Sequence, residues 1–127
     1  MIKFMKDVEC MEMIRRNLYL NRIRPFIDQD LIKVLIGLRR SGKTILLSQI
    51  RDILLERGVP EENIIEINFE SRRFKKLEDA DTFYQYVTNR VEKANGKVYL
   101  FLDEIQHVTE WHSVIPSFRI DFDCDIY

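Results

Sequence analysis

Between an aliphatic run and a stretch of helical period stands Gly37-Leu38-Arg39-Arg40-Ser41-Gly42-Lys43-Thr44, and no other feature of the 127-residue chain narrows its fold so far. The pattern G-x-x-x-x-G-K-[ST] is that of a phosphate-binding loop. A chain that wraps a phosphate must point backbone N–H groups inward, and glycines permit both the backbone angles and the close approach. The helix that follows aims its free N–H groups and partial positive charge at the same anion. Lys43 adds a full positive charge for the β- and γ-phosphates, and the Thr44 hydroxyl is placed to ligate Mg²⁺. Arg39 and Arg40 sit at variable positions, where they add favourable field without needing to touch the phosphate. A Gly-rich turn with no ligand is the competing reading; it does not require a strand before the loop and a helix after it, and both are expected here.

The flanks supply that context. Leu31-Ile32-Lys33-Val34-Leu35-Ile36 is nearly continuous in aliphatic residues, which suits a strand covered on both faces. After Lys43 the period changes: Ile45, Leu46, Leu47, Ile50, Ile53 and Leu54 form one helical face, opposite Ser48, Gln49, Arg51, Asp52 and Glu56. Gly58 and Pro60 stop that helix. In Ile64–Phe69, alternation puts Ile65, Ile67 and Phe69 on one face and Ile64, Glu66 and Asn68 on the other, a half-buried strand near an edge. Ala80, Phe83, Tyr84, Val87, Val91 and Ala94 make a second helical stripe, stopped at Asn95-Gly96. Val98–Leu102 is an apolar third strand. A segment of mixed character with Trp111 and Pro116 leads to Cys124–Tyr127, the opening of a fourth strand. Strands alternating with helices spell an α/β domain with a mainly parallel sheet. Ahead of it, residues 8–20 carry an imperfect helix pattern that Pro25 breaks, so residues 1–30 are a separate helical or extended segment.

The third strand ends in Asp103-Glu104. An apolar strand closing on an acid is what a phosphate-loop protein needs to hold Mg²⁺ from the opposite side, which is the role expected of Asp103. Glu104 then stands where a carboxylate can polarise a water for attack on the γ-phosphate. Alone, such a strand end is weak evidence; behind a phosphate loop, one helix–strand–helix unit away, it fixes the class.

Composition sets the outer bounds. At 46% hydrophobic and 32% charged the chain is an ordinary globular one. Nothing approaches the roughly 18 consecutive apolar residues of a membrane-spanning helix. The charged N-terminus reads as no export signal. Cys10 and Cys124 are too few for a disulfide framework, and the expectation is a reduced, cytoplasmic protein. A net charge of −1 argues against nucleic-acid binding by bulk charge while leaving room for a local basic patch.

With LIKVLIGLRRSGKT at residues 31–44 and LFLDEIQ at 100–106, the chain resembles the prokaryotic AAA-type ATPases. The likeness runs from Arg16 to Tyr127 and takes in Tyr19-Leu20, Ile23-Arg24-Pro25, Glu66–Glu70 and Trp111. It implies a P-loop three-layer sandwich whose partial ATP-binding domain spans 31–127. ATP and Mg²⁺ are the implied ligands, and hydrolysis drives a conformational change. Gly37 to Thr44 then bind the phosphates, Lys43 and Glu104 serve catalysis, and Thr44 and Asp103 hold the metal. Members continue into a helical region and a C-terminal domain, so the chain is expected to be truncated at its fourth strand, without the sensor residue and arginine finger, and slow or inactive in turnover. A homo-oligomer or that further domain are the implied partners.

Other readings stay open. A non-hydrolysing nucleotide-binding module or switch fits the same loop. A phosphate-loop kinase is disfavoured by Asp103-Glu104, and a GTPase by the lack of an Asn-Lys-x-Asp segment. Arg72, Arg73, Lys75 and Lys76 could meet nucleic acid, although a solvated loop is the favoured reading. Glu104 and His107 have Glu-x-x-His spacing, too little alone for a metal centre. Trp111 reads as a helix anchor. Tyr19 and Arg22 are adenine candidates between which the sequence does not choose.

Overall fold

A computed structural model describes residues 2–3, 21–29, 32–36 and 43–127. The expected helix over 8–20, together with Cys10 and Tyr19, lies outside the described residues. Contacts divide the chain into two units, Met1–Val59 with Tyr127, and Pro60–Ile126.

In the first unit, β1 (Ile2–Lys3) pairs in parallel with β2 (Leu35–Ile36). Among the described residues of the aliphatic run, 32–36, regular pairing covers Leu35–Ile36, with an isolated bridge at Ile32. Between the bridge and the strand stands Lys33. Its side chain is buried, its ammonium donates to the Gln29 carbonyl at 2.6 Å, and it lies 5.1 Å from the centre of the Tyr127 ring. Pro25 sits in a 3-10 turn over Arg24–Phe26, which tightens the chain between buried Ile23 and Ile27.

Helix α1 spans Lys43–Glu56. Leu46, Ile50, Ile53 and Leu54 are its buried stripe, at the i, i+4, i+7 and i+8 spacing of one face. Ile45 is a correction: it is 40% exposed, because it falls on the face of Ser48 and Asp52 rather than on the stripe. The helix closes on Gly58 at φ +92°, with Val59 N–H donating to Leu54 C=O and Gly58 N–H to Leu55 C=O, each at 3.0 Å. These are the two bonds of a Schellman stop.

The second unit is built on a parallel sheet in the order β3 (Ile64–Asn68), β4 (Val98–Asp103), β5 (Cys124–Ile126). The fold is α/β with a parallel sheet, as the alternating pattern requires. β4 is central and buried from Val98 to Leu102, which is why both of its faces are apolar. β3 lies at an edge with Glu66 and Asn68 exposed, as expected. Ile64, however, is buried with Ile65 and Ile67. Just ahead of β3, buried Asn63 donates to the carbonyls of Asn95 and Lys97 at 2.8 and 2.9 Å. That clamp holds the start of β3 beside the loop that feeds β4.

Helix α2 (Ala80–Lys93) begins where the Asp79 carboxylate accepts from the Thr82 N–H at 3.0 Å and the Thr82 hydroxyl at 2.8 Å. Those bonds hold the Asp79 carboxyl below its usual range. Helix α3 (Trp111–Asp121) occupies the segment whose character the sequence left mixed, with Pro116 inside it. The obstacle to reading it was that proline, which removes one helical hydrogen bond. Phe83 of α2 is bracketed edge-to-face by Phe69 and Phe118, both at 5.1 Å, and Tyr84 stacks on Phe118 at 5.7 Å. Each such pair adds about 0.5–1.5 kcal/mol beyond its buried area. The Tyr84 hydroxyl donates to the Asp121 carboxylate, a bond that raises the phenol's pKa. Trp111 is half-buried, its ring 3.6 Å from that of His112. Cys124 is a free thiol on β5, pushed up to about 11 by burial.

Candidate functional site

The loop motif is entered from a strand and left into a helix. β2 ends at Ile36, one residue before Gly37, and α1 begins at Lys43. Residues Gly37, Leu38, Arg39, Arg40, Ser41 and Gly42 lie outside the described residues, and Lys43 and Thr44 are described by their backbone alone. Arg22, the remaining adenine candidate, is exposed.

The acidic end is described in full. Parallel register sets Asn68 beside Asp103 at the tips of β3 and β4, and the Phe69 N–H donates to the Asp103 carbonyl at 3.0 Å. Asp103 is half-buried at the carboxyl edge of the sheet, the edge where open α/β sheets take their ligands. The next residue turns left-handed: Glu104 has φ +61° and ψ +45°. A non-glycine residue held there costs on the order of 1–3 kcal/mol and persists only where its surroundings impose it. The left-handed step ends the strand at once and starts a 3-10 turn over Ile105–His107, which the His107 N–H closes on the Glu104 carbonyl at 3.2 Å. Within that turn the Gln106 amide donates to the Glu104 carboxylate.

Sequence spacing had joined Glu104 only to His107. The tertiary structure adds Glu70: one donor atom from each of Glu70, Glu104 and His107 lies within 4.8 Å of the other two. Glu70 stands two residues beyond the end of β3, and only the pairing of β3 with β4 brings it to Glu104. The signal for it was therefore the strand register, which no local pattern contains. The Asn68 side chain accepts from the Glu70 N–H at 3.0 Å and fixes the turn that carries Glu70. Three donors, two of them exposed, are one short of the four that a closed zinc site takes. Among the described residues no helix is long and apolar enough to cross a membrane.

Parallel strands, a helix that opens inside the G-x-x-x-x-G-K-T motif and a central strand ending in adjacent acids define an α/β nucleotide-binding domain. The chain belongs to the AAA domain family, whose profile matches residues 29–127. It is also 41% identical over 114 residues to an uncharacterized protein of Haemophilus influenzae. The match covers 90% of this chain and 28% of that relative, so the chain spans little more than a quarter of the relative's length. No solved structure matches it.

Proposed function

We propose that the chain is the Mg-ATP-binding module of an AAA-type ATPase that couples hydrolysis to conformational change. The observation that carries this reading is the passage from β2 through Gly37–Gly42 into a helix starting at Lys43, in a chain that belongs to the AAA domain family. In this reading residues 31–127 form the ATP-binding domain and residues 1–30 precede it. The module works in the cytoplasm, and the greater length of the Haemophilus relative supports a longer protein around it.

The donor chemistry fits the ligand. Gly37, Leu38, Arg39, Arg40, Ser41 and Gly42 offer backbone N–H groups to the phosphates, and the N-terminus of α1 adds its partial positive charge. Lys43 neutralises charge on the β- and γ-phosphates. The Thr44 hydroxyl and the Asp103 carboxylate are hard oxygen donors of the kind Mg²⁺ takes, Asp103 standing at the carboxyl edge of the parallel sheet. Mg²⁺, when bound, would supply charge neutralisation to the phosphates. Glu104, one residue past Asp103, accepts the proton of the attacking water. Its left-handed backbone turns it out of the strand direction.

Calorimetric titration of Mg-ATP into the chain and into Lys43→Ala, with circular dichroism on both, tests the reading. Binding is expected in the first and lost in the second while the fold is retained. A folded wild-type chain that takes up no Mg-ATP would overturn it. A second reading, nucleotide held without hydrolysis, is favoured by one observation: the Gln106 amide already engages the carboxylate that should take the proton. It predicts equal Mg-ATP affinity and no phosphate release in both wild type and Glu104→Gln.

A further inference from the structure

Between β3 and α2 the chain forms a 3-10 helix over Arg72–Glu78, a single well-formed element where the sequence suggested a loop. A 3-10 helix has three residues per turn, so side chains at i and i+3 stand in line. Burial follows that period. Ser71, Phe74 and Leu77 face inward, with Leu77 buried and Phe74 half-buried, while Arg72, Arg73, Lys75 and Lys76 are all exposed. The result is two parallel columns of cations, Arg72 over Lys75 and Arg73 over Lys76, spaced by about 6 Å along the axis at a rise of about 2 Å per residue.

The element is held at both ends. The Ser71 hydroxyl accepts from the Arg73 N–H at 3.4 Å, and the Phe74 N–H donates to the Ser71 carbonyl at 3.0 Å. At the other end the Thr109 N–H donates to the Glu78 carbonyl at 2.9 Å. Phe74 packs edge-to-face on Tyr86 at 6.3 Å, the Arg73 guanidinium lies 5.7 Å from the Phe74 ring, and Arg90 lies 5.9 Å from the Tyr86 ring. Acids flank the columns, Glu70 ahead of Arg72 and Glu78 and Asp79 after Lys76, with the Asp79 carboxylate bonded to Thr82 at the start of α2. Arg72, Lys75 and Lys76 have no acidic partner among the described residues.

We propose that the Arg72, Arg73, Lys75 and Lys76 columns are a docking surface for the phosphate backbone of nucleic acid. Four exposed cations on a pre-formed element, in a chain whose net charge is only −1, are local rather than bulk charge. A protein partner draws most of its binding energy from buried apolar and aromatic anchors. The exposed large apolar side chains among the described residues are Phe26, Ile45 and Ile120, and none is on this turn. A phosphate backbone needs no such pocket, only cations that release its counterions.

The test is anisotropy of a fluorescein-labelled DNA duplex titrated with the 127-residue chain across a salt series, without nucleotide, so that the outcome is independent of the phosphate-loop reading. Four phosphate contacts predict a slope of log K against log salt of about −3.6, or about a 10²-fold loss of affinity between 50 and 200 mM salt. The variant Arg72→Ala/Arg73→Ala/Lys75→Ala/Lys76→Ala should lose that binding with its circular dichroism unchanged, while Arg72→Lys/Arg73→Lys should keep the slope. Should the quadruple variant not fold, Lys75→Gln/Lys76→Gln is expected to flatten the slope by about 1.8, since each contact contributes about 0.9. No binding by wild type at 50 mM salt, or a quadruple variant that binds as wild type does, would overturn the proposal. So would a polyglutamate peptide that displaces the duplex at equal charge concentration, an outcome that assigns the surface to an acidic protein.

Discussion

At the end of α1 the chain turns left-handed on Gly58, φ +92°, where nothing lies within 4 Å of the position a Cβ would take. At the end of β4 it turns left-handed on Glu104, φ +61°. The first turn does one job, stopping a helix, and glycine does it without conformational penalty. The second stops a strand just as abruptly but uses a residue that resists the conformation, and its side chain keeps a donor atom within 4.8 Å of donor atoms of Glu70 and His107. Asp28 and Glu110 are left-handed as well, at φ +66° and +56°, so what sets Glu104 apart is the company of its carboxylate rather than its backbone alone. Where a rule is broken and the side chain is one that chemistry can use, the site itself is the reason to look for a function.

The comparison can be broken most sharply at Glu104. On the proposed reading, Glu104→Gln lowers ATP turnover, measured as phosphate release, by about 10²–10⁴-fold, as loss of a general base does. Mg-ATP affinity by calorimetry stays the same; unchanged turnover would leave the strained turn without a catalytic reason. Next in size is Phe83→Ala, which removes the ring between Phe69 and Phe118. Its unfolding free energy in urea should fall by about 3–5 kcal/mol, and a loss below about 1 kcal/mol would mean the aromatic packing does not hold α2 and α3. Gly58→Ala should cost about 1–2 kcal/mol in the same assay, all of it conformational because the site is open. Glu104→Gly should go the other way or stay level, within about 1 kcal/mol, because relief of the left-handed strain is set against added freedom in the unfolded chain. A larger loss would show that side-chain contacts, not backbone, hold the turn.

Asp79 supplies the gauge, an acid with a purely local task. Its folded pKa is lowered by the bonds to Thr82, so its contribution is fully present above the ordinary value of 3.8 and is lost as pH falls from there through the lower folded value. Asp79→Asn keeps a capping oxygen and removes the titration. Its stability should therefore decline less steeply below pH 3.8 than that of wild type, by acid titration of ellipticity. An identical acid profile would remove Asp79 as the titrating cap.

Much of this was legible locally. The α1 stripe, its stop at Gly58, the edge character of β3 and the apolar centre of β4 all follow from period and turn chemistry, which act over a few residues. Ile45 was misassigned because a run of aliphatic side chains hides which of them face the core. Helix α3 escaped notice because Pro116 is a breaker in sequence yet tolerated in place, where Ile115 and Phe118 bury their side chains on either side of it. Lys33 reads as one polar residue in an aliphatic run; that it is buried and bonded to a carbonyl depends on neighbours the run does not contain.

By itself, then, the sequence determined the α/β alternation, the phosphate-loop motif and the acids at 103 and 104, because each is written in residues adjacent along the chain. Only the tertiary structure decided that β4 lies between β3 and β5, that Glu70 joins Glu104 and His107, and that the cations of 72–76 stand in two columns on a fixed element. Those facts rest on strand register and on backbone conformations imposed from outside the segment. A parallel pairing joins residues more than thirty positions apart, as Asn68 with Asp103, and no short-range pattern encodes which of them will meet.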